Sequence, residues 1–157
     1  MKTALLVVGK TKDKHLIALT DEYTKRIQHY VPFEILTIPE LTNTKALTVE
    51  LQKEREADLI LDQVKAGDWL VLLDEGGLEF GSVDFATFLQ KRMLAAPKRL
   101  MFVVGGPYGF SPRVYKVAKQ KVSLSRMTFS HQMIRLIFTE QFYRAMTILK
   151  GEPYHHE

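Results

Sequence analysis

Five consecutive apolar residues, Leu100-Met101-Phe102-Val103-Val104, run straight into Gly105-Gly106-Pro107-Tyr108-Gly109, and no other junction limits the folding of this chain as strongly. The run is continuous rather than alternating and too short for a buried helix, which is the pattern of a strand covered on both faces. Ser111 and Pro112 follow as helix cap and first helical residue, so the spacing predicts a helix over 112–119. A strand, glycine turn and helix in that order leave bare main chain beyond the carboxyl end of a strand, where α/β sheets hold ligands. The same glycines also suit a simple tight turn.

What surrounds the loop excludes one familiar ligand and counts against a second. A triphosphate-cradling loop needs Lys-Ser/Thr after its last glycine, and none is present. A dinucleotide fold needs G-x-G-x-x-G in its first unit and an acid about twenty residues later for the ribose. Here the spacing is G-G-x-x-G, late in the chain, and residues 85–139 contain no Asp or Glu at all.

That absence is part of a wider segregation of charge. Residues 1–84 hold 10 Lys/Arg against 15 Asp/Glu, residues 85–139 hold 10 against none, and residues 140–157 hold 2 against 3. A positive field of this kind around the glycine loop attracts polyanions, and we read it as a nucleic-acid surface. With 157 residues and no cysteine, the chain is expected to form one domain with its own core. Disulfides, thiolate metal sites and a cysteine nucleophile are all excluded. The apolar run near the start, Ala4 to Val8, is far too short for a signal or membrane segment, so a cytoplasmic location is expected.

In chain order, strands are expected over 2–8, 33–38, 69–73, 100–104 and 121–124. Helices are expected over 13–30, 44–65, 82–94, 112–119 and 131–150. Leu16, Leu19, Tyr23, Ile27 and Tyr30 form the inward stripe of the first helix, and Leu47, Leu51, Leu61 and Val64 that of the second. Asp74-Glu75-Gly76-Gly77 reads as a sharp, solvated turn, with Ser82 capping the helix that follows. Alternating strands and helices make an α/β fold with a mostly parallel sheet flanked by helices. The last helix carries more apolar surface than one core-facing stripe requires, which predicts a homodimer.

Four segments together resemble a known family: Gly105 to Gly109, then Leu124-Ser125-Arg126-Met127-Thr128-Phe129-Ser130-His131-Gln132, then Glu140-Gln141-Phe142-Tyr143-Arg144-Ala145, and Pro153-Tyr154-His155. The chain is similar, over essentially its whole length, to the RlmH family of small SPOUT-class methyltransferases. These modify N3 of a pseudouridine in large-subunit ribosomal RNA. The resemblance implies a C-terminal trefoil knot holding S-adenosylmethionine, with cofactor contacts at Leu73, Gly105, Leu124, Ser125, Arg126, Met127, Thr128 and Phe129. No metal is implied, and the expected partners are ribosomal RNA and a second copy of the chain. Ser130 stands where the family pattern has proline, and a serine there can cap the last helix instead.

The implied chemistry requires N3 of a uracil-type ring to lose its proton, for which a neutral histidine is a natural acceptor. His131 and His155 are the candidates. Arg135 and Arg126 are candidates for stabilising charge on the ring oxygens or holding phosphate. His131 has an alternative role as a structural residue at a helix start. The tail is expected to fold over a site, its own or the partner's, with Tyr154 and His155 contacting RNA or covering the cofactor. A basic RNA-binding module without chemistry accounts equally well for the charge, though not for the two loops.

Overall fold

The computed structural model describes residues 1–156 and has one five-stranded sheet in the order β2-β1-β4-β3-β5, every pairing parallel. The strands are β1 (Lys2–Val8), β2 (Phe33–Ile38), β3 (Asp68–Glu79), β4 (Arg99–Val104) and β5 (Gln120–Ser123). The helices are α1 (Lys14–Gln28), α2 (Val49–Gln63), α3 (Ser82–Leu94), α4 (Pro112–Val117) and α5 (Met133–Leu149). The apolar run before the glycine loop forms β4, the central strand, which is fully buried from Leu100 to Val103.

Alternation along the strands divides the core in two. Leu5, Val7, Val71, Phe102 and Val104 point to the layer of α1, α3 and α5, where Phe102 meets Phe138 at 4.8 Å between ring centroids. Leu6, Leu70, Leu72, Met101 and Val103 point the other way, to α2 and α4. Both faces of the central strands are therefore dry, which accounts for their unbroken apolar sequence.

Several expectations are corrected. The predicted helix over 44–65 is a short 3-10 turn, Thr44–Ala46, then extended Leu47, then α2. Thr48 restarts the helix by accepting the Leu51 N–H at 3.1 Å, leaving Leu51 exposed. The inward face of α2 is Glu56, Ala57 and Ile60, and in α1 Thr20 is buried while Leu19 faces out. Ser82 is the first helical residue of α3 rather than its cap, a position held by Gly81. Ser111 does stand at the cap of α4, but its buried hydroxyl makes no cap bond.

The sharp turn expected at 74–77 is instead an irregularity inside β3. Leu73 and Leu78 both pair with Val122, so the strand bulges outward between them and resumes. Gly77 is there for close approach: a Cβ would stand 2.6 Å from backbone atoms of Lys121 and Val122.

The apolar breadth of α5 is explained in part within the chain. The helix lies between α1 and α3, and only Met133 among its residues is exposed. Part of its apolar surface therefore meets a second helix of the same chain, while Ile134, Leu136, Ile137, Ile148 and Leu149 stay half-buried. Among the described residues, no helix is long and apolar enough to cross a membrane. Among the described residues, no group of three or more His, Asp or Glu side chains stands ready for a metal ion.

Candidate active site

Three segments converge at the bulge of β3 and the carboxyl ends of β4 and β5, and a cavity of about 330 Å³ opens between them. The floor is the glycine loop. Gly109, at φ +80°, takes a left-handed conformation, and its N–H donates to Gly106 O at 3.2 Å, closing the loop on itself. Phe110 turns inward and is buried under Gly105, where a Cβ would lie 2.9 Å from its ring. The cavity thus faces unadorned main chain at Gly105 and Gly106.

The far wall is the loop after β5. Ser123 Oγ donates to Ser125 O at 3.0 Å, and Ser125 Oγ accepts the Met127 N–H at 2.9 Å, fixing a tight local path. Thr128 Oγ1 donates to Glu75 Oε1 at 2.7 Å, joining this loop to the bulge of β3. Asp74 completes the rim: it accepts the Gly76 N–H at 2.8 Å and a short hydrogen bond from the Tyr115 hydroxyl. Burial, aided by that bond, pushes the Tyr115 hydroxyl up to about 12, so it remains a neutral donor.

Seven of the eight expected cofactor residues line the cavity. Leu73, Leu124, Met127 and Phe129 give apolar wall, while Gly105, Ser125 and Thr128 give polar groups. Arg126 is the exception; it points outward, 83% exposed, with Glu79 at 3.9 Å. Asp74 and Glu75, read from sequence as a solvated turn, are part of the lining, so the site is not free of acids.

His131 also lines this cavity and is exposed. It borders a second cleft of about 470 Å³, walled by Val8, Lys12, Glu40, Gln132 and Arg135, which shares Gly106 and His131 with the first. Ser130 does cap the helical turn leading into α5, its Oγ accepting the Met133 N–H at 3.1 Å. Gln132 accepts the Lys12 N–H at 2.7 Å, so the start of α5 is tied to the loop after β1.

Arg135 is placed differently from a group that meets substrate. It is 2% exposed and donates to Val8 O and Gly9 O, each at 2.8 Å, and to Thr11 Oγ1 at 3.0 Å. Burial pulls its pKa down, with Glu40 opposing. Tyr154 and His155 do not line the cavity of their own chain. The Tyr154 hydroxyl donates to Glu140 at 2.9 Å and its ring packs edge-on against Tyr143. His155 Nδ1 lies 3.1 Å from Arg144, which pairs with Glu140 at 2.7 Å.

The basic segment is less uniform in space than in sequence. Arg99 is held by Asp68, Arg113 by Glu54 and Asp58, and Arg92 lies over the Trp69 ring at 4.5 Å. With Arg135 also buried, the solvent-facing charge near the cavity comes from Lys116, Lys119, Lys121 and Arg126.

A parallel sheet with a glycine loop and a second loop closing one pocket at its carboxyl edge is the arrangement in which α/β proteins hold small ligands, and comparison with known proteins supplies the class. The family described as "Predicted SPOUT methyltransferase" matches residues 1–155, and the chain belongs to that family of methyltransferases. It is 59% identical to the ribosomal RNA large subunit methyltransferase H of Parabacteroides distasonis. The proteins of the same name from Phocaeicola vulgatus and Bacteroides fragilis are 57% and 56% identical. Each alignment spans 157 residues and covers all of both chains.

Proposed function

We propose that the chain transfers the methyl group of S-adenosylmethionine to N3 of a pseudouridine in large-subunit ribosomal RNA, in the cytoplasm. The observation that carries this reading is the cavity at the bulge of β3 and the end of β4. Its floor is open main chain, its walls are apolar, and its rim is acidic. The main-chain groups of Gly105 suit the polar edge of an adenosine, those of Gly106 being engaged by Glu56 and Gly109, and Leu73, Leu124 and Phe129 suit its faces. Asp74 and Glu75 suit a cationic donor better than a phosphate. Packing behind the loop requires both glycines, since a Cβ would meet the Phe110 ring or the Glu56 carboxylate; the side that faces the cavity is left as main chain.

When bound, S-adenosylmethionine supplies an electrophilic methyl group on a sulfonium. The protein's part is to bring a ring nitrogen to it without its proton. His131 stands between the donor cavity and the neighbouring cleft, so a base lying in that cleft has the imidazole beside its N3. The histidine takes the N3 proton, leaving the nitrogen's electron pair to form the new bond. Alignment across the shared boundary lowers the barrier further. Arg135 contributes by holding the end of β1 in place as a wall of the cleft. Lys116, Lys119, Lys121 and Arg126 provide the phosphate-facing surface.

The tail positions of Tyr154 and His155 support a homodimer with a composite site, in which each tail covers the partner's cavity. A knotted C-terminal segment belongs to the same reading and rests on membership of the SPOUT family.

Calorimetry tests the donor reading. S-adenosylmethionine should bind one equivalent per chain, and NADH should give no heat. Binding of NADH alone, or of neither compound, would overturn the reading.

A further inference from the structure

Glu56 is an acid in an apolar layer. It lies on α2, is 6% exposed, and shares the inward face of that helix with Ala57 and Ile60. Among the described residues no cation pairs with it. Its partner is main chain: Glu56 Oε1 accepts the Gly106 N–H at 2.8 Å, across 50 residues of sequence. Contact is close enough that a Cβ on Gly106 would stand 2.3 Å from Oε2. On the far side of the same loop, Arg113 of α4 grips α2 through Glu54 and Asp58, at 2.6 and 2.8 Å. The glycine loop is therefore held to α2 at its first turn, while the helix that follows it is held to α2 by a separate ion-pair cluster.

We infer that Glu56 is a positioning residue for the methyl-donor pocket, its carboxylate fixing the Gly106 amide so that the Gly105-Gly106 main chain presents a preformed floor to the donor. This rests on the donor reading above. A loop with three glycines has many conformations open to it, and ordering it on binding would weaken the ligand's hold. A buried acceptor that leaves the amide one direction to point removes that penalty before the ligand arrives. Burial pushes the Glu56 carboxyl up, with the Gly106 bond opposing. The residue is therefore kept in a place that does not favour its charge, which points to a role in reach rather than in charge.

Two substitutions separate reach from charge. E56Q keeps the length and the accepting oxygen; E56D keeps the charge but withdraws it by one methylene. We expect E56D to weaken S-adenosylmethionine binding and raise its KM by about tenfold, with kcat within about twofold of wild type, and E56Q to bind within about twofold of wild type. Without any ligand, exchange of the Gly106 amide proton should quicken in E56D and stay slow in E56Q. G106A should be severe in the wild-type chain and add little in E56D, where the withdrawn carboxylate leaves room for the methyl group. Unchanged amide exchange in E56D, equal damage from E56Q and E56D, or strict additivity with G106A would each overturn the assignment. Should the wild-type chain bind no S-adenosylmethionine, the donor reading fails by itself, and amide exchange still decides whether Glu56 holds the loop.

Discussion

Arg135 Nη1 donates to Gly9 O at 2.8 Å, joining the last helix to the end of the first strand across 126 residues of sequence. With the bonds to Val8 O and Thr11 Oγ1, one guanidinium satisfies three acceptors at the edge of the cleft beside His131. R135A leaves buried carbonyls without donors and opens a void. Denaturant unfolding should show a loss of about 3 kcal/mol, against about 0.5 kcal/mol or less for R126A on the exposed rim.

Thr128 and Glu75 close the donor cavity from opposite loops. T128V removes the donor while keeping the shape of the side chain. The loss of one hydrogen bond, about 1 kcal/mol, should raise the KM for S-adenosylmethionine about fivefold and leave the thermal midpoint nearly unchanged. A fall in kcat at constant KM would show instead that the bond acts after binding.

Tail function in trans is open to complementation. A chain ending at Pro153 lacks Tyr154 and His155 and should not methylate, while its oligomeric state is unchanged. A full-length chain carrying G106A in the donor pocket should also be inactive. Mixed dimers of the two should regain activity, because the intact pocket on the truncated chain receives the intact tail of its partner. Activity that stays absent in the mixture, with heterodimers demonstrated, would place each tail at its own pocket.

Glu56 makes stability depend on pH in a direction that can be worked out. Its folded pKa is raised, so its favourable contribution is complete when the carboxyl is protonated, below the ordinary carboxylate range, and is lost as pH rises through the raised value. E56Q does not titrate. Unfolding free energies measured at about pH 4 and about pH 7 should therefore show the variant gaining on wild type at the higher pH.

Some of this architecture was legible before any coordinates, and the reasons are local. Strands β1 and β2 have the expected limits because Gly9, Pro32 and Pro39 punctuate them, and β4, buried on both faces, differs from its expected limits only by beginning at Arg99. The glycine loop and the loop after β5 were legible as a candidate site through motif and resemblance, and their meeting around one cavity required the fold. The bulge in β3 was not legible, because Gly76-Gly77 has the composition of a turn; strand crossing against Lys121 and Val122 decides its role. Neither was Glu56, one acid among many in α2, whose burial follows from where Thr48 restarts the helix. Arg135 and Arg126 looked alike in sequence, since nothing local distinguishes a buried guanidinium from an exposed one.

The most direct test is mass mapping of ribosomal RNA from cells lacking this protein, before and after treatment of their ribosomes with the purified chain and S-adenosylmethionine. We predict one methyl group missing from N3 of a single large-subunit pseudouridine and restored by the wild-type chain. A full complement of methyl groups in those cells, or restoration at a different atom, would contradict the account.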